Sequence, residues 1–568
     1  MDGPAVGAPR LAEVVARVHD PDDPLDAASG VALVGPSDLE AVLHGPAAGV
    51  PTGAPATRGS SAAGELIATG LAASPGAAQG TAVFDAWRAL DAVDEGFDVI
   101  LVRTETSPAD EPAMSVVAGV LTSRGGLGSH AAVIARGRGL PAVCGAHHLD
   151  IGADSFATDT GAVVHEGDVL VIDGSSGEVR RGEPGAGRSG WAGADDALPA
   201  DVVTILGWAD RLRGGRLAVQ ANADGAADAA RARRFGAEGI GLCRTEHQFL
   251  APERLVLLRR IILASSPEVE AAALDELVEA QRADFTELLA EMDGLVVTVR
   301  LLDPPLHEFL PDLVELERGE ASGSLDAPGR DLLAAARRWH EHNPTLGVRG
   351  VRLAVLKPAL YRMQVRALVQ AAAARRRLGG DPRPQVMVPL VAMAGEVALV
   401  RSWLVDELAD LGAGDAAGAV DTGPVPAVGA MIETPRAALV AGALALEADF
   451  LSFGTNDLTQ LTFGLSRDDA GRVLDAYRTN GLMSSDPFAT LDPEGVGALI
   501  GLAADAARAA RPGISLGVCG EHGGDPDSIA RFVAAGLDYV SCSPFRVPVA
   551  RLAAAQATMA SGGPAPTS

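Results

Sequence analysis

The feature that most constrains the fold is a series of short apolar segments that alternate with long helical segments from about Val202 onward. The helical segments are rich in Ala and Arg, and the apolar ones are typical of buried strands. Seven or eight such strands over roughly 360 residues predict a (β/α)8 barrel. The strand candidates are LAVQAN, GIGLC, VVTVRLL, PQVMVPLV, AVGAMIE, FLSFG, SLGVCG and YVSCSP.

Residues that can carry chemistry follow the ends of these strand candidates. A (β/α)8 barrel places its active site at the carboxyl ends of its strands. We therefore expect these side chains to share one mouth of the barrel. They are Arg244, Arg300, Glu433, Asn456, Asp457 and Cys519.

The chain before the barrel has a different pattern. Residues 66–183 contain short strand candidates separated by glycines and one helix near Ser129, which predicts a β-rich α/β domain. Before it stand two short helical stretches, RLAEVVARV and SDLEAVLHG, and a flexible linker. The predicted multidomain α/β organisation is an N-terminal helical and linker segment (1–61), a β-rich domain (62–185), a linker (186–201), the barrel (202–562) and a disordered tail (563–568).

Charge and cysteine content exclude several classes of protein. With 46 basic and 74 acidic residues the net charge is −28, which disfavours nucleic acid and anionic membranes as partners. The four cysteines form no CxxC pair, which argues against a disulfide framework or a zinc site. No apolar run is long enough to span a bilayer and the N-terminus lacks a signal-peptide pattern, so we expect a cytoplasmic protein.

His130 is the candidate nucleophile of the β-rich domain. The segment SRGGLGSHAAVIARGRG places it after a glycine-rich turn and in the first turn of a helix, with Ser129 as N-cap and Gly137 as the stop. A phosphoryl group on this imidazole would lie near backbone N–H groups and the positive end of the helix dipole. The alternative is a surface histidine at a helix start, and the spacing alone favours neither.

Two arginines and one acidic residue form the second candidate group. GIGLCRTEH contains Arg244, and VTVRLLDPPLHEF contains Arg300 and Asp303. Arginines at strand ends suit the bidentate binding of a phosphate. The alternative is a pair of salt bridges at the rim of the barrel.

Two carboxylates and a thiol complete the candidate site. Glu433 and Asp457 follow neighbouring strands, as expected for a Mg²⁺ site that is completed by substrate and water. The alternative is that they cap the following helices. Cys519 precedes a glycine turn, where its thiol could donate a proton to a developing carbanion; the alternative is a buried structural cysteine.

From about residue 66 to residue 556 the chain resembles the pyruvate, phosphate dikinase family. It is much less similar to enzyme I of the sugar phosphotransferase system, which shares only the general plan. The motifs that carry the resemblance are GGLGSHAAVIARG, GAEGIGLCRTEH, RLLDPPLHEFLP, GTNDLTQ, CGEHGGDP and DYVSCSPFRVPVARLAAAQ.

The resemblance implies a role for each candidate. His130 is the phosphorylated residue of a swivelling domain, and the barrel binds phosphoenolpyruvate (PEP) and pyruvate as a homodimer. Glu433 and Asp457 hold Mg²⁺, and Cys519 protonates the enolate. Arg244 and Arg300 grip the substrate phosphate, and Asp303 orients Arg300. The implied substrate-binding residues are Arg244, Arg300, Asp303, Glu433, Gly454, Thr455, Asn456 and Asp457.

The sequence departs from this family in two places. The family commonly has Thr two residues before the histidine, where this chain has Gly128, so control by phosphorylation at that position is in doubt. The family also has an ATP-grasp nucleotide domain before the swivelling domain, whereas about 61 residues precede it here. We therefore expect the nucleotide half-reaction to be supplied by another polypeptide.

Three hypotheses follow for the function. The first is a dikinase-type phosphotransferase that interconverts PEP and pyruvate through phosphohistidine, with its nucleotide half-reaction in trans. The second is a PEP-dependent phosphocarrier that passes the phosphoryl group to a protein acceptor, as enzyme I does. The third is a non-catalytic PEP-binding regulatory subunit.

Overall fold

A computed structural model of the 568-residue chain provides the fold. The structure describes residues 7–20, 23, 25–43, 65–94, 96–106, 110–114, 116–126, 129–182, 198–249, 252–264, 266–341, 343, 346–412, 423–467 and 470–562.

The chain up to residue 182 forms short helices and strands. The helices are α1 (Ala8–His19), α2 (Ala27–Leu33), α3 (Pro36–Leu43), α4 (Ala86–Asp94), α5 (Glu111–Met114) and α6 (His130–Arg138). The strands are β1 (Leu66–Thr69), β2 (Leu71–Ser74), β3 (Ala77–Val83), β4 (Val99–Arg103), β5 (Gly119–Thr122), β6 (Ala142–Cys144), β7 (Leu149–Ile151), β8 (Ser155–Thr158), β9 (Val163–His165), β10 (Val169–Asp173) and β11 (Glu178–Arg181).

These strands form two sheets. The larger has the order β1-β11-β10-β3-β4-β5-β6-β2, in which β3 to β6 run parallel, and β7, β8 and β9 form a small antiparallel sheet. Ala131, Ala132 and Ala135 of α6 are buried against the larger sheet, because small residues let the helix approach it closely. The predicted β-rich α/β domain is confirmed.

Helix α6 begins as predicted and ends later than predicted. The Ser129 hydroxyl accepts a hydrogen bond from the Ala132 N–H at 3.4 Å. The expectation that Gly137 stops the helix is wrong, because the helix continues to Arg138. Gly139 is the C-cap and adopts φ 63°, a left-handed conformation that glycine tolerates best.

The rest of the chain alternates strands and helices. The strands are β12 (Ala218–Asn222), β13 (Gly239–Arg244), β14 (Val296–Arg300), β15 (Arg383–Val388), β16 (Ala427–Ile432), β17 (Phe450–Phe453), β18 (Ser515–Val518) and β19 (Tyr539–Cys542). The helices are α7 (Ala200–Arg213), α8 (Ala226–Arg234), α9 (Glu246–Phe249), α10 (Pro252–Ile262), α11 (Pro267–Glu291), α12 (Leu313–Ser322), α13 (Ala327–Trp339), α14 (Gly350–Leu356), α15 (Pro358–Arg377), α16 (Ala394–Gly412), α17 (Pro435–Leu439), α18 (Ala441–Glu447), α19 (Thr455–Phe463), α20 (Gly471–Thr479), α21 (Val496–Ala510), α22 (Pro526–Ala534) and α23 (Val547–Ala560). Short 3-10 helices span Leu306–Phe309, Glu521–Gly524 and Pro544–Arg546.

The strands β12 to β19 close into a parallel barrel in sequence order. The barrel closes where β19 pairs with β12, in a register that runs from Ala218 opposite Tyr539 to Ala221 opposite Cys542. The strands are largely buried because helices cover the outside and side chains fill the interior. The predicted (β/α)8 barrel is confirmed, and all eight strand candidates are strands of it.

The N-terminal helices pack on the barrel region. Their apolar side chains share one buried cluster with α7 and α23, and the Gln556 side chain donates hydrogen bonds to the carbonyls of Val31 and Val34 at 2.9 and 2.8 Å. The sequence predicted α1 and α3 but not α2, because a helix of seven residues is too short to show an apolar period. The predicted linkers and tail lie largely outside the described residues.

The carboxyl end of α6 contacts the barrel at the Pro544–Arg546 turn. The Phe545 ring lies so close to Gly139 that a Cβ on this glycine would come within 2.7 Å of it, and the Arg231 guanidinium covers the ring at 4.8 Å. The Ser543 hydroxyl donates to the Arg136 carbonyl at 3.3 Å. Phe545 is thus the barrel's apolar contact with the helix that begins at His130.

The Phe545→Ala variant should loosen this contact. Loss of the ring should weaken the contact between the β-rich domain and the barrel by about 1.5 kcal/mol of apolar burial. The ratio of molecules with the domain on the barrel to molecules with it detached should therefore fall about tenfold. Small-angle scattering should record a larger radius of gyration than for wild type. Replacement of the exposed Trp87 with Ala is the control, and an unchanged radius in Phe545→Ala would contradict the prediction.

Candidate active site

Three carboxylates meet at the carboxyl ends of the barrel strands. Asp303 follows β14, Glu433 follows β16 directly, and Asp457 lies in the first turn of α19 after β17. One oxygen from each lies within 4.8 Å of the others, and Asp303 and Glu433 are buried. The structure therefore brings together Glu433 and Asp457, as expected for a shared site, and adds Asp303 to them.

Neither Glu433 nor Asp457 caps the helix that follows it. Thr434 caps α17, because its hydroxyl accepts from the Ala437 N–H at 3.1 Å. The cap of α19 is Gly454, which offers no side chain. The alternative interpretation of these carboxylates as helix caps is wrong.

Two arginines neutralise the carboxylates from different elements. Arg300 forms ion pairs with Asp303, at 3.0 Å, and with Glu246. Arg349 forms ion pairs with Asp303 and, at 3.1 Å, with Asp457. Arg349 was not predicted from the sequence, because it precedes α14 in the long β14–β15 connection and follows no strand. The only local signal was the repeated Val-Arg pair in GVRGVRL.

Arg244 lies at the mouth of the barrel, apart from these ion pairs. Its backbone N–H donates to the Asp224 carboxylate at 2.7 Å, and its guanidinium is 4.0 Å from the Glu521 carboxylate. The two arginines that were predicted to act together thus have different surroundings. Arg300 forms ion pairs with Asp303 and Glu246, whereas the guanidinium of Arg244 lies near Glu521.

Burial and charge set the protonation of the acidic groups. Although burial opposes ionisation, Arg349 and Arg300 hold the pKa of Asp303 below its usual range. Burial, together with Asp303 and Asp457, raises the pKa of Glu433 well above its usual range. The ionised form of Glu433 is therefore destabilised in this site, and a divalent cation would stabilise it.

Leu390 holds Glu433 through its backbone. It is the one non-glycine residue with positive φ (55°) among the described residues, and its N–H donates to Glu433 Oε1. Such a conformation costs about 1–3 kcal/mol and persists where surrounding contacts enforce it. No sequence pattern signals it, because leucine rarely adopts this conformation.

Cys519 is buried directly after β18. The Asn222 side chain donates to its carbonyl at 3.2 Å, and its Sγ lies 3.7 Å from the Phe453 carbonyl. Burial raises the pKa of the Cys519 thiol to about 11. Because this pKa is far above 7, the thiol is neutral at physiological pH. Glu433 and Arg300 also act on this pKa, so the thiol lies within the electrostatic influence of the carboxylate group.

The segment from Gly454 to Asp457 is tied to the Cys519 segment. The Glu521 N–H donates to the Asn456 side chain at 3.2 Å. His522 is buried; its Nε2 donates to the Pro487 carbonyl at 2.9 Å, so that its Nδ1 accepts from the Thr455 hydroxyl at 2.8 Å. His522 thus joins the two strand ends that hold Asp457 and Cys519, a role that was not predicted from the sequence.

The stability of the barrel should decrease in acid through His522. Burial lowers the pKa of His522 from 6.5, so the unfolded chain binds its proton more readily and stability is lost as the pH falls below 6.5. The loss should approach about 1.4 kcal/mol per pH unit. The free energy of unfolding can be measured with denaturant at about pH 7 and pH 5. It should change less between these two pH values in His522→Gln than in wild type. The exposed His147→Gln is the control, and equal slopes would contradict the prediction.

His130 begins α6 as predicted, but its side chain and Gly128 lie outside the described residues. The expected role of His130 as the carrier therefore stays a prediction. The same holds for the substrate-binding and proton-donating roles of the barrel residues.

The carboxylate group fits a magnesium ion. Mg²⁺ prefers oxygen ligands and takes one or two carboxylates together with substrate and water. Glu433 and Asp457 would hold it, with Asp303 within reach. The raised pKa of Glu433 is consistent with this fit, because the nearby arginines do not fully compensate the negative charges of the three carboxylates.

The chain is similar to known proteins over most of its length. The family described as PEP-utilising enzyme, PEP-binding domain, matches residues 201–559, and the one described as PEP-utilising enzyme, mobile domain, matches residues 96–177. A pyruvate, phosphate dikinase of Rhizobium meliloti (strain 1021) is 47% identical over 93% of this chain and 56% of its own length. A chloroplastic pyruvate, phosphate dikinase of Flaveria pringlei is 48% identical over 86% of this chain and 50% of its own length.

The chain spans about half the length of the curated relatives it matches. A solved citrate lyase structure from Burkholderia xenovorans LB400 aligns with 52% of this chain and 75% of that chain, at 16% identity and a TM-score of 0.25, a similarity too slight to bear on the fold. Among the described residues, no helix combines the length and the apolar character needed to cross a membrane.

Proposed function

The chain belongs to the family of PEP-utilising enzymes, and on this basis we propose that it transfers a phosphoryl group between PEP and His130 and so interconverts PEP and pyruvate. One observation carries the proposal: the buried carboxylates of Asp303 and Glu433 and the partly buried carboxylate of Asp457 meet two arginines beside a neutral thiol. This set suits an anionic substrate that becomes an enolate and then gains a proton.

The proposed reaction follows from these groups. The bond between phosphorus and the enol oxygen of PEP breaks, a bond between phosphorus and an imidazole nitrogen of His130 forms, and the enolate of pyruvate leaves. Arg300 and Arg349 neutralise the negative charge of the phosphoryl group. Mg²⁺ would supply Lewis-acid stabilisation of the enolate oxygen. The Cys519 thiol gives its proton to the methylene carbon, which completes pyruvate.

Nucleotide chemistry is a separate part of the proposal. The relatives are named pyruvate, phosphate dikinase, and we propose that the nucleotide half-reaction of this protein takes place on a separate polypeptide that phosphorylates or dephosphorylates His130. The homodimer through the barrel, the cytoplasmic location, and the absence of nucleic acid and membrane partners stay predictions.

The test is a single-turnover experiment. The purified chain is incubated with Mg²⁺ and PEP that carries a radioactive phosphorus label. We expect an acid-labile label on the protein, at most one per chain, and an equal amount of pyruvate. PEP that is bound without label transfer or pyruvate release would contradict the proposal and support a regulatory subunit. Discharge of the label by a protein acceptor without nucleotide would support the phosphocarrier alternative.

A further inference from the structure

Arg349 forms ion pairs with two of the three carboxylates of the candidate metal site. Its Nε lies 3.2 Å from Asp303 Oδ1, and its Nη1 and Nη2 lie 3.4 and 3.1 Å from the two oxygens of Asp457. The side chain is 13% exposed. Its guanidinium thus neutralises oxygens that a divalent cation would bind.

Arg300 differs from Arg349 in its additional partner. Arg300 pairs with Glu246 as well as Asp303, and the Thr245 hydroxyl donates to its backbone carbonyl at 3.1 Å. Glu246 is outside the carboxylate group, so Arg300 keeps an anionic partner whatever Asp303 binds. Arg349 has its ion pairs within the group itself.

A divalent cation bound to Asp457 would weaken the ion pair between Asp457 and Arg349. A cation bound to Asp457 would lie within a few ångströms of the guanidinium, where repulsion between them is strong in a poorly hydrated site. The cation would also bind at least one of the carboxylate oxygens that accept the hydrogen bonds of Arg349. Binding of the cation therefore favours a position of Arg349 away from Asp457, where an anionic substrate would be its partner.

We propose that Arg349 competes with the divalent cation for Asp457, and that cation binding releases Arg349 to the phosphate of the substrate. This inference rests on the proposed function, because it assumes that the carboxylates bind a divalent cation and that the substrate is a phosphate ester. It makes PEP binding depend on the cation in two ways, through direct coordination and through the release of Arg349.

The first test measures Mn²⁺ binding without substrate, by electron paramagnetic resonance or calorimetry. Arg349→Gln should bind Mn²⁺ about tenfold more tightly than wild type, within the usual range of coupling between two ligands. Arg349→Lys keeps the competing charge and should stay close to wild type. The matched control is Arg352→Gln, three residues further on in α14, since the Arg352 guanidinium donates to the carbonyls of Leu346 and Gly347. Equal or weaker Mn²⁺ binding in Arg349→Gln would overturn the proposal.

The second test uses the wild-type chain and does not depend on the folding of a variant. Phenylglyoxal modifies accessible guanidinium groups, and peptide mass spectrometry locates the adducts. Mn²⁺ should increase the rate of modification at Arg349 relative to Arg352, because the cation takes its partner Asp457. A rate at Arg349 that is unchanged or reduced by Mn²⁺ would overturn the proposal.

Failure of this inference can be distinguished from failure of the proposed function. If wild type binds no Mn²⁺, both the inference and the metal part of the proposed function are wrong. If wild type binds Mn²⁺ and transfers label from PEP to His130, but Arg349→Gln does not bind Mn²⁺ more tightly, only the inference is wrong. The binding measurement contains no catalytic step, so these outcomes are distinct.

Discussion

His130→Asn is expected to abolish the transfer of label from PEP to the protein. Asparagine keeps a polar side chain at the start of α6 but has no nitrogen that forms a stable bond to phosphorus under these conditions. PEP should still bind in the presence of Mg²⁺, because the arginines and carboxylates of the candidate site belong to the barrel. Pyruvate release in a single turnover should fall to the background level.

The control for this prediction is a second histidine of the same domain. His147→Asn changes an exposed side chain and should leave labelling at the wild-type level. Labelling of His130→Asn at the wild-type rate would mean that another group carries the phosphoryl. Loss of PEP binding in the same variant would mean that the substitution disturbs the barrel, and circular dichroism would detect a change of fold.

Cys519→Ala is expected to slow the formation of pyruvate by about 10²- to 10⁴-fold, the usual contribution of a positioned proton donor. The affinity for PEP should change little, because the thiol gives its proton only after the enolate forms. Exchange of hydrogen at the methyl group of pyruvate should slow by a similar factor, since it uses the same thiol in reverse. If the protein were a non-catalytic PEP-binding subunit, Cys519→Ala would bind PEP as wild type does, and neither protein would form pyruvate.

Cys243→Ala is the matched control for Cys519→Ala. Cys243 is also a buried cysteine; it lies on β13, and its side chain belongs to the core between strands and helices. Cys519 belongs to a separate cluster inside the barrel with Leu242, Met387, Met431 and Phe450. Equal losses in the two variants would show that packing, and not proton transfer, explains the effect of Cys519.

The pH dependence adds a further check on Cys519. Its thiol, with a pKa of about 11, stays protonated where an ordinary thiol of pKa 9.0 would ionise. Pyruvate formation from PEP needs the protonated thiol, so this group should cause no loss of rate between about pH 7 and pH 9. Hydrogen exchange into pyruvate needs the thiolate and should rise with pH across the same range.

The barrel and its strand ends could be predicted because they depend on local patterns. Most strand residues are buried, so the segments are largely apolar, and the functional residues stand at or just after the ends of these segments. The start of α6 at His130 was likewise predictable from Ser129, a residue that caps helices through its own side chain. The end of α6 was not, because two glycines, Gly137 and Gly139, are separated by one residue and either could end the helix.

The missed residues act through contacts that are distant in the chain. Arg349 precedes a helix within the long β14–β15 connection, and only the folded barrel brings it to Asp457, 108 positions later. Leu390 contributes a backbone N–H, which no side-chain pattern records. Asp303 was predicted as a partner of Arg300, and its place beside Glu433 depends on the distance between strand ends.

The sequence by itself determined the eight strands, the order in which they follow one another, and most residues of the candidate site, because strand burial and strand ends are local properties. Only the tertiary structure decided which charges face each other: Arg300 with Glu246, and Arg349 with Asp457. The reason is electrostatic. The charge state of a buried carboxylate depends on the distances to all its neighbours, and closure of the barrel sets those distances.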